Sequence, residues 1–154
     1  MYVIDTSVIS ALHRNYYRKS FPSLWKRFDE MVASSQFTST REVQRELEDG
    51  AATPLAWARE NEHLFPTPTA DEAQVVVAIY AIKRFQANIE QQKLFKGGRN
   101  ADPFLIARAS CCKGTVLTME QMKPNAAKIP NICDHFKIPC VDLQRFMENE
   151  GWTF

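Results

Sequence analysis

Apolar residues recur along the chain with two spacings that alternate. Short apolar runs without helical spacing predict strands at 2–5, 36–40, 115–118 and 138–141. Between these runs the apolar positions return every three or four residues, which is typical of amphipathic helices. The predicted helical segments lie at 21–34, at 41–49, from Thr53-Pro54 around Trp57, from 73 into the eighties, and at 100–109, 130–136 and 142–149.

Helix signals and connections indicate one α/β domain. Thr69 and Glu72 form a capping box in front of the apolar stretch that begins at 73. Asn100 or Asp102, followed by Pro103, opens the helix that runs to 109. Because short strands separated by helices favour parallel pairing, we predict a single domain over 1–154. Its fold would be a three-layer α/β sandwich with a short, mostly parallel central sheet of four to five strands.

Composition narrows the class of protein. The chain has 154 residues, 45% hydrophobic and 24% charged, which suits one domain with a core. Lys and Arg total 19 against 18 Asp and Glu, so the formal charge of +1 excludes a protein that coats nucleic acid by bulk charge. No apolar run is long enough to span a bilayer, and no signal peptide is visible, so we expect a cytoplasmic protein without a membrane span.

Cysteine and histidine offer no obvious metal site. The four cysteines do not have the spacing of zinc ligands, and without a secretion signal we expect reduced, buried thiols at Cys111, Cys112, Cys133 and Cys140. The histidines are scattered and do not adjoin the acids considered next. We therefore expect surface or structural roles for His13, His63 and His135.

Acidic residues follow the predicted strands, at the end of the sheet where ligands of parallel sheets bind. Asp5 ends the first strand, and Glu120 follows the third. Asp102 opens the helix that leads into the third strand, while Glu42 and Glu46 lie four residues apart just after the second. Carboxylates gathered in one place repel one another unless a cation neutralises them, and oxygen ligands select Mg²⁺ or Mn²⁺.

Each acid taken alone also has an ordinary structural explanation. Asp102 suits a helix N-cap, and Asp5 suits a surface position at a strand end. Glu42 and Glu46 suit a solvated helix face, and Glu120 suits a loop. The prediction of a metal site therefore depends on the order and joint placement of these residues.

Four segments in this order resemble the PIN-domain family of metal-dependent ribonucleases. Residues 2–9 are similar to its opening strand and Asp-Thr/Ser turn, and 37–47 to its second strand and a helix ending in Glu-Leu. Residues 100–109 are similar to its block of an Asp followed by Ile-Ala-x-Ala, and 116–120 to its late strand with Thr, one residue and an acid. The resemblance covers nearly the whole chain. It is to a toxin-like subgroup often described only as a domain of unknown function.

The resemblance implies roles for individual residues. The metal-binding and catalytic acids would be Asp5, Glu46, Asp102 and Glu120. Glu120 stands where the family usually has Asp and adds one methylene of reach. Glu42 is the alternative to Glu46 as the ligand. The distance of Glu46 from the second strand and the leucine that follows it favour Glu46. The hydroxyls of Ser7 and Thr118 would orient the carboxylates.

The resemblance also implies a function, the hydrolysis of RNA phosphodiester bonds by a Mg²⁺- or Mn²⁺-dependent endoribonuclease. The biological role would be that of the toxin in a bacterial type II toxin–antitoxin pair, with a cognate antitoxin protein as a partner. Small PIN proteins of this kind typically form homodimers, here through the helix at 21–34 or the stretch at 70–90.

Two basic stretches are candidates for holding RNA. The first interleaves Arg14, Arg18 and Lys19 with aromatic residues, a composition suited to phosphate contact and base stacking. The second contains Lys96 and Arg99, shortly before the third predicted acid. The alternative for both stretches is a solvated helix end.

Three other functions are compatible with an α/β fold. A receiver-like phosphoacceptor domain needs paired acids on the first strand and an Asp on a middle strand, and neither is evident. A haloacid-dehalogenase-type phosphatase needs Asp-x-Asp, but Ser7 occupies the second acidic position. A catalytically silent PIN-like scaffold that binds RNA or a protein partner is the remaining alternative to the nuclease.

Overall fold

The computed structural model describes residues 1–95 and 97–154, without the side chains of residues 88, 92, 93 and 95. In chain order the elements are β1 Tyr2–Ile4, α1 Thr6–Asn15, α2 Pro22–Ala33, β2 Phe37–Thr38, α3 Arg41–Leu47, α4 Ala52–Glu60, a 3-10 turn Glu62–Leu64, α5 Ala70–Tyr80, α6 Lys83–Phe95, α7 Asp102–Cys112, β3 Thr115–Leu117, α8 Ile129–Phe136, β4 Cys140–Val141 and α9 Leu143–Asn149.

The four strands form one sheet in the order β2-β1-β3-β4, and every pairing is parallel. The predicted α/β fold with a parallel central sheet is therefore confirmed, with four strands flanked by helices. Each strand is two or three residues long, shorter than the predicted runs. Val3 and Val116, paired across β1 and β3, are fully buried, as expected for a sheet covered on both faces.

The strand order places a topological switch point between β1 and β3. From β1 the chain crosses to β2 on one side, and from β3 it moves to β4 on the other. In open parallel sheets the crevice beyond the carboxyl ends of two such strands is where ligands bind. The carboxyl ends of β1 and β3 are therefore the expected position of a ligand site.

Two helix starts or lengths differ from the prediction. The apolar stripe from 73 into the eighties was expected to form one long helix, but α5 ends at Tyr80 and α6 begins at Lys83. The turn lets Ile79 and Phe85 both become fully buried, although on one unbroken helix two positions six residues apart would point about 120° away from each other. Helix α4 begins before the expected Thr53-Pro54 signal, and its N-cap is Ala51.

An ion pair between a buried glutamate and a half-buried arginine helps to link α5, α7 and β2. Arg108 Nη1 lies 3.0 Å from Glu72 Oε1, and the Arg108 guanidinium also donates to Thr38 Oγ1, at 3.2 Å from Nη2. Glu72 also completes the predicted capping box with Thr69, which is confirmed. One carboxylate thus fixes the start of α5 and receives the arginine of α7.

Two further expectations concern membrane spans and the state of the cysteines. In the described part of the chain no helix is long and apolar enough to cross a membrane. All four cysteines are free thiols, but only Cys133 among them is buried, and Cys111 is exposed.

Gly114 is a position where the packing of β1 against β3 leaves little room for a side chain. A Cβ there would lie 3.0 Å from Val3 Cγ2 and 3.2 Å from the carbonyl oxygen of Met1, which accepts the amide of Thr115. We expect Gly114→Ala to lower the free energy of unfolding by about 1–3 kcal/mol, measured by urea denaturation.

The matched control is Gly50→Ala. At Gly50 the nearest atom to a new Cβ is the Leu47 carbonyl oxygen at an ordinary 3.5 Å. We expect this variant to unfold at the urea concentration of the wild type, within about 0.5 kcal/mol. Equal destabilisation by both substitutions would contradict the explanation by crowding between β1 and β3.

Candidate carboxylate site

Asp5 lies directly after the central strand β1, with its side chain buried. Its backbone amide donates to the Leu117 carbonyl at 3.0 Å, so the pairing of β1 with β3 continues one residue beyond the strands. Its carbonyl accepts the amides of Val8 and Ile9 and opens α1. The backbone on both sides therefore fixes Asp5 at the switch point.

Two hydroxyl groups hold one oxygen of the Asp5 carboxylate. Thr118 Oγ1 donates to Asp5 Oδ2 at 2.8 Å, and Ser7 Oγ donates to the same oxygen. The amides of Met119 and Glu120 donate to these two hydroxyl oxygens, so the hydroxyl hydrogens are directed to the carboxylate. Within the described residues Asp5 Oδ1 accepts no hydrogen bond, and the side chain does not cap α1.

The pKa of the Asp5 carboxyl is raised above its ordinary value of 3.8. Burial is the largest cause because it disfavours the charged form, and the charges of Glu120 and Glu46 act in the same direction. The hydroxyls of Ser7 and Thr118 oppose this shift, since they donate to the charged carboxylate. The charge of Asp5 is therefore only partly compensated by its protein neighbours.

Glu46 and Glu42 have different surroundings, although they lie on the same short helix, α3. Glu46 accepts the hydroxyl of Thr6 at 2.8 Å and the amide of Ala101 at 3.0 Å, so it lies between the starts of α1 and α7. Glu42 lies 3.2 Å from Arg45 Nη1 on its own helix. Of the two competing glutamates, Glu46 is the one placed beside Asp5.

Asp102 is buried in the first turn of α7, next to the residue that binds Glu46. It is not the N-cap, a position that Ala101 occupies; the side chain of Asn100 instead accepts the Asp102 amide at 3.1 Å. Within the described residues the Nδ2 group of Asn100 is buried and has no hydrogen-bond partner. A buried donor of this kind costs about 1–3 kcal/mol unless an acceptor is supplied.

Glu120 follows β3 by three residues and is half-buried. Its Oε2 accepts the amide of Ile129 at 2.9 Å, and its Oε1 lies 3.9 Å from Lys128 Nζ. Glu120 therefore holds the start of α8 while its charge acts on Asp5. We call Asp5, Glu46, Asp102 and Glu120 together the carboxylate site.

The carboxylate site is not a ready-made metal centre. Across residues 1–95 and 97–154, no three His, Cys, Asp or Glu side chains are grouped so that they could hold a metal ion. The reason is visible at Glu46 and Glu120, whose oxygens accept backbone amides of α7 and α8. Metal binding would require the carboxylates to move closer together than they lie here.

The first basic stretch lies at the far end of α1. Arg14 lies in the last turn of α1, so its backbone is about 13 Å from that of Asp5 along the helix, and Lys19 follows after the helix has ended. Arg18 pairs with Asp29 at 2.7 Å and lies over the Trp25 ring, 4.0 Å from its centroid. This stretch therefore flanks the carboxylate site at a distance and does not line it.

The second basic stretch is described only in part. Lys96 lies outside the described residues. Arg99 lies 3.1 Å from Glu48 and 3.5 Å from Asp49, and it also donates to the Arg45 carbonyl. These contacts tie the loop before α7 to the end of α3, which is a structural role.

Sequence reasoning did not place Thr6 or Lys128 at the site, and it considered Asn100 only as a helix start. The signal for Thr6 in the sequence was its position directly after Asp5, where its hydroxyl can reach a neighbouring carboxylate. For Asn100 the signal was its place two residues before Asp102, where an amide side chain can reach a helix amide. Lys128 carries no signal in sequence, because the turn that brings it to Glu120 forms only in the fold.

One comparison with known proteins gives a family. The family model described as "Domain of unknown function (DUF4411)" matches residues 2–154. No curated protein and no solved structure matches the chain. The match covers nearly the whole sequence, and the description of the family names no activity.

Asp5→Asn should raise the melting temperature at pH 7 in buffer with a chelator. A raised pKa means that the folded chain binds this proton more tightly than the unfolded chain, so ionisation of Asp5 lowers stability as the pH rises above about 3.8. Asparagine keeps an oxygen acceptor for both hydroxyls and carries no charge. The gain should shrink towards about pH 3, where the wild-type carboxyl is protonated.

The control for this measurement is Asp134→Asn, at an exposed position of α8, which should melt like the wild type. Scanning calorimetry or circular dichroism at both pH values is sufficient. A lower melting temperature for Asp5→Asn at pH 7 would show that the Asp5 charge is compensated by the protein itself.

Proposed function

The chain belongs to the DUF4411 family, and we propose that it is a metal-dependent ribonuclease of PIN type with the carboxylate site as its active centre. The observation that carries the proposal is the environment of Asp5. Its carboxylate is buried at a topological switch point, one oxygen is held by two hydroxyls, and its charge is opposed by two neighbouring glutamates. An arrangement that keeps like charges together at a ligand position is typical of a cation site.

The donor chemistry fits Mg²⁺ or Mn²⁺, because all four candidate ligands are carboxylates. Asp5 Oδ1, which accepts no hydrogen bond from the described residues, is available as the first ligand. Glu46 and Glu120 would turn from the amides of Ala101 and Ile129 towards the cation. Asp102 would complete the set from the first turn of α7.

The chain's own residues prepare the site for hydrolysis. Ser7 and Thr118 fix the Asp5 carboxylate and leave its second oxygen facing away from them. The buried Nδ2 group of Asn100 supplies a donor suited to a phosphate oxygen, next to Asp102. A bound divalent cation supplies, in such sites, an activated water and charge stabilisation at phosphorus.

RNA beyond the reacting phosphate would follow the surface of α1. Arg14 and Tyr17 line a cavity of about 470 Å³ between α1 and α4, together with Thr53 and Pro54. Tyr17 is 64% exposed, so its ring is accessible for base stacking. This supports contact with RNA some distance from the cut, with Arg14 and Lys19 as phosphate partners.

The proposed biological role is that of the toxin in a bacterial type II toxin–antitoxin pair, and it is supported by the PIN resemblance alone. For the proposed homodimer the structure distinguishes the two candidate helices. Helix α2 buries its apolar residues in the core, whereas Val77 of α5 and Leu94 of α6 are 68% and 84% exposed. The surface of α5 and α6 is therefore the better candidate for a partner, either a second copy or an antitoxin.

A second candidate function is a catalytically silent scaffold that binds RNA or protein. The observation that favours it is the structural use of two of the four acids. Glu46 accepts an amide at the start of α7, and Glu120 accepts one at the start of α8. In this case the acids of the carboxylate site would be joints between elements.

Asp5→Asn and Glu46→Gln should each lower Mn²⁺-dependent cleavage of RNA by at least about 100-fold. Loss of a partner outside the ligand sphere already costs about 10–100-fold in metal sites, and these residues would be ligands themselves. Purified protein, a labelled RNA of mixed sequence and gel analysis provide the measurement. Glu42→Gln is the matched control, since Glu42 pairs with Arg45, and it should cleave at the wild-type rate. Equal rates for Asp5→Asn and the wild type would refute the nuclease.

Calorimetric titration with Mn²⁺ separates the two candidate functions. The nuclease requires a binding isotherm that Asp5→Asn and Asp102→Asn abolish, because both remove a ligand charge from the carboxylate site. The scaffold predicts no such isotherm. Binding that survives in both variants would place the cation elsewhere on the protein.

A further inference from the structure

A second cavity adjoins the carboxylate site on the β4 side. Its volume is about 270 Å³, and Thr118 and Glu120 form part of its wall. Thr118 is the residue whose hydroxyl holds Asp5, so the cavity and the buried carboxylate share a side chain. Val141, at the carboxyl end of β4, also lines the cavity. The cavity therefore lies beyond the ends of β3 and β4, immediately beside the proposed reaction centre.

The lining of this cavity combines apolar surface with a small number of polar groups. Met122 and Val141 supply apolar surface, and Arg145 contributes a guanidinium from α9. Gln121 follows Glu120 and is exposed, and its amide forms no hydrogen bond with any described residue. A primary amide offers a donor and an acceptor side by side, which matches the edge of a nucleobase.

The size of the cavity limits what it accepts. Pockets for drug-sized molecules start at about 300 Å³, so about 270 Å³ suits one planar base better than a dinucleotide. Flexible methionine at position 122 can lie against either face of a ring. Other polar groups of the lining are already engaged, since Asp142 caps α9 and Arg145 pairs with Glu148 at 3.1 Å.

From this juxtaposition we propose that the cavity binds the base of the nucleotide next to the scissile phosphate, and that Gln121 reads its edge. The proposal rests on the proposed ribonuclease function and adds a base-binding cavity and the side chain that reads the base. A base in a duplex is stacked and paired, and placing it in a side pocket costs a few kcal/mol of unpairing and unstacking. The substrate is therefore RNA with an unpaired base beside the cut, as in loops and single strands.

The test uses the full-length protein and a single-stranded RNA pool with randomised sequence, cleaved in Mn²⁺. Sequencing of the new 5′ ends gives the base frequencies around the cut. The wild type should show a preference at one position adjoining the cut. Gln121→Ala should reduce that preference about 10-fold, the size expected for loss of one base-reading contact, while cleavage continues. Gln121→Glu, which only accepts, should shift the preference towards bases that present an amino group, such as cytosine.

Gln74→Ala is the control, because Gln74 is an exposed glutamine of α5 that lies outside this cavity, and it should keep the wild-type profile. The same pool annealed to complementary strands should be cleaved at least about 10-fold more slowly, since the base is then paired. Melting curves confirm that each variant is folded.

The outcomes separate this inference from the function it rests on. If the wild type cleaves but shows no preference beside the cut, or if Gln121→Ala keeps the preference, the base pocket is refuted and the nuclease stands. If no preparation cleaves RNA in an Asp5-dependent manner, the ribonuclease is refuted and the base pocket with it. Equal cleavage of single strands and duplexes also refutes the base pocket, because a paired base cannot enter it.

Discussion

The negative charge buried at Asp5 is the constraint around which the site is organised. An ionised carboxylate with so little contact with water is unfavourable unless donors or cations surround it. Two hydroxyls, from the first turn of α1 and from the end of β3, meet part of that requirement. The nearby glutamates increase the need for positive charge, and the protein groups around Asp5 meet only part of that need. The proposed function rests on this deficit of positive charge.

Two acids near Asp5 also connect elements of the fold through hydrogen bonds. Glu46 accepts an amide at the start of α7, and Glu120 accepts one at the start of α8. A ligand that drew these carboxylates away would leave two helix starts with one donor fewer satisfied, at a cost of about 1–3 kcal/mol for each buried amide. Breaking these two hydrogen bonds would therefore reduce the affinity for such a ligand. The first turns of α7 and α8 would become less ordered when it binds.

The strands and the acids at their ends could be predicted from sequence, because apolar runs and chain order are local properties. The position of Asp5 followed directly from the first run. The break between α5 and α6 could not, since both sides of the turn carry helical spacing and only burial of Ile79 and Phe85 decides it. Ion pairs were also beyond the sequence. Arg18 pairs with Asp29, and Arg99 with Glu48, because folding brings together groups that look solvated in a linear pattern.

The parallel sheet has a consequence for synthesis of the chain on the ribosome. β1 lies in the middle of the sheet, yet its two neighbours follow it along the chain, β2 soon and β3 much later. Thr118 reaches Asp5 across 113 residues, a separation that makes the contact slow to form and absent from any shorter nascent fragment. A chain that is still being translated, or one that is prematurely terminated before β3, has the first acid but not the hydroxyl that holds it. The proposed site would thus stay incomplete until most of the polypeptide has emerged.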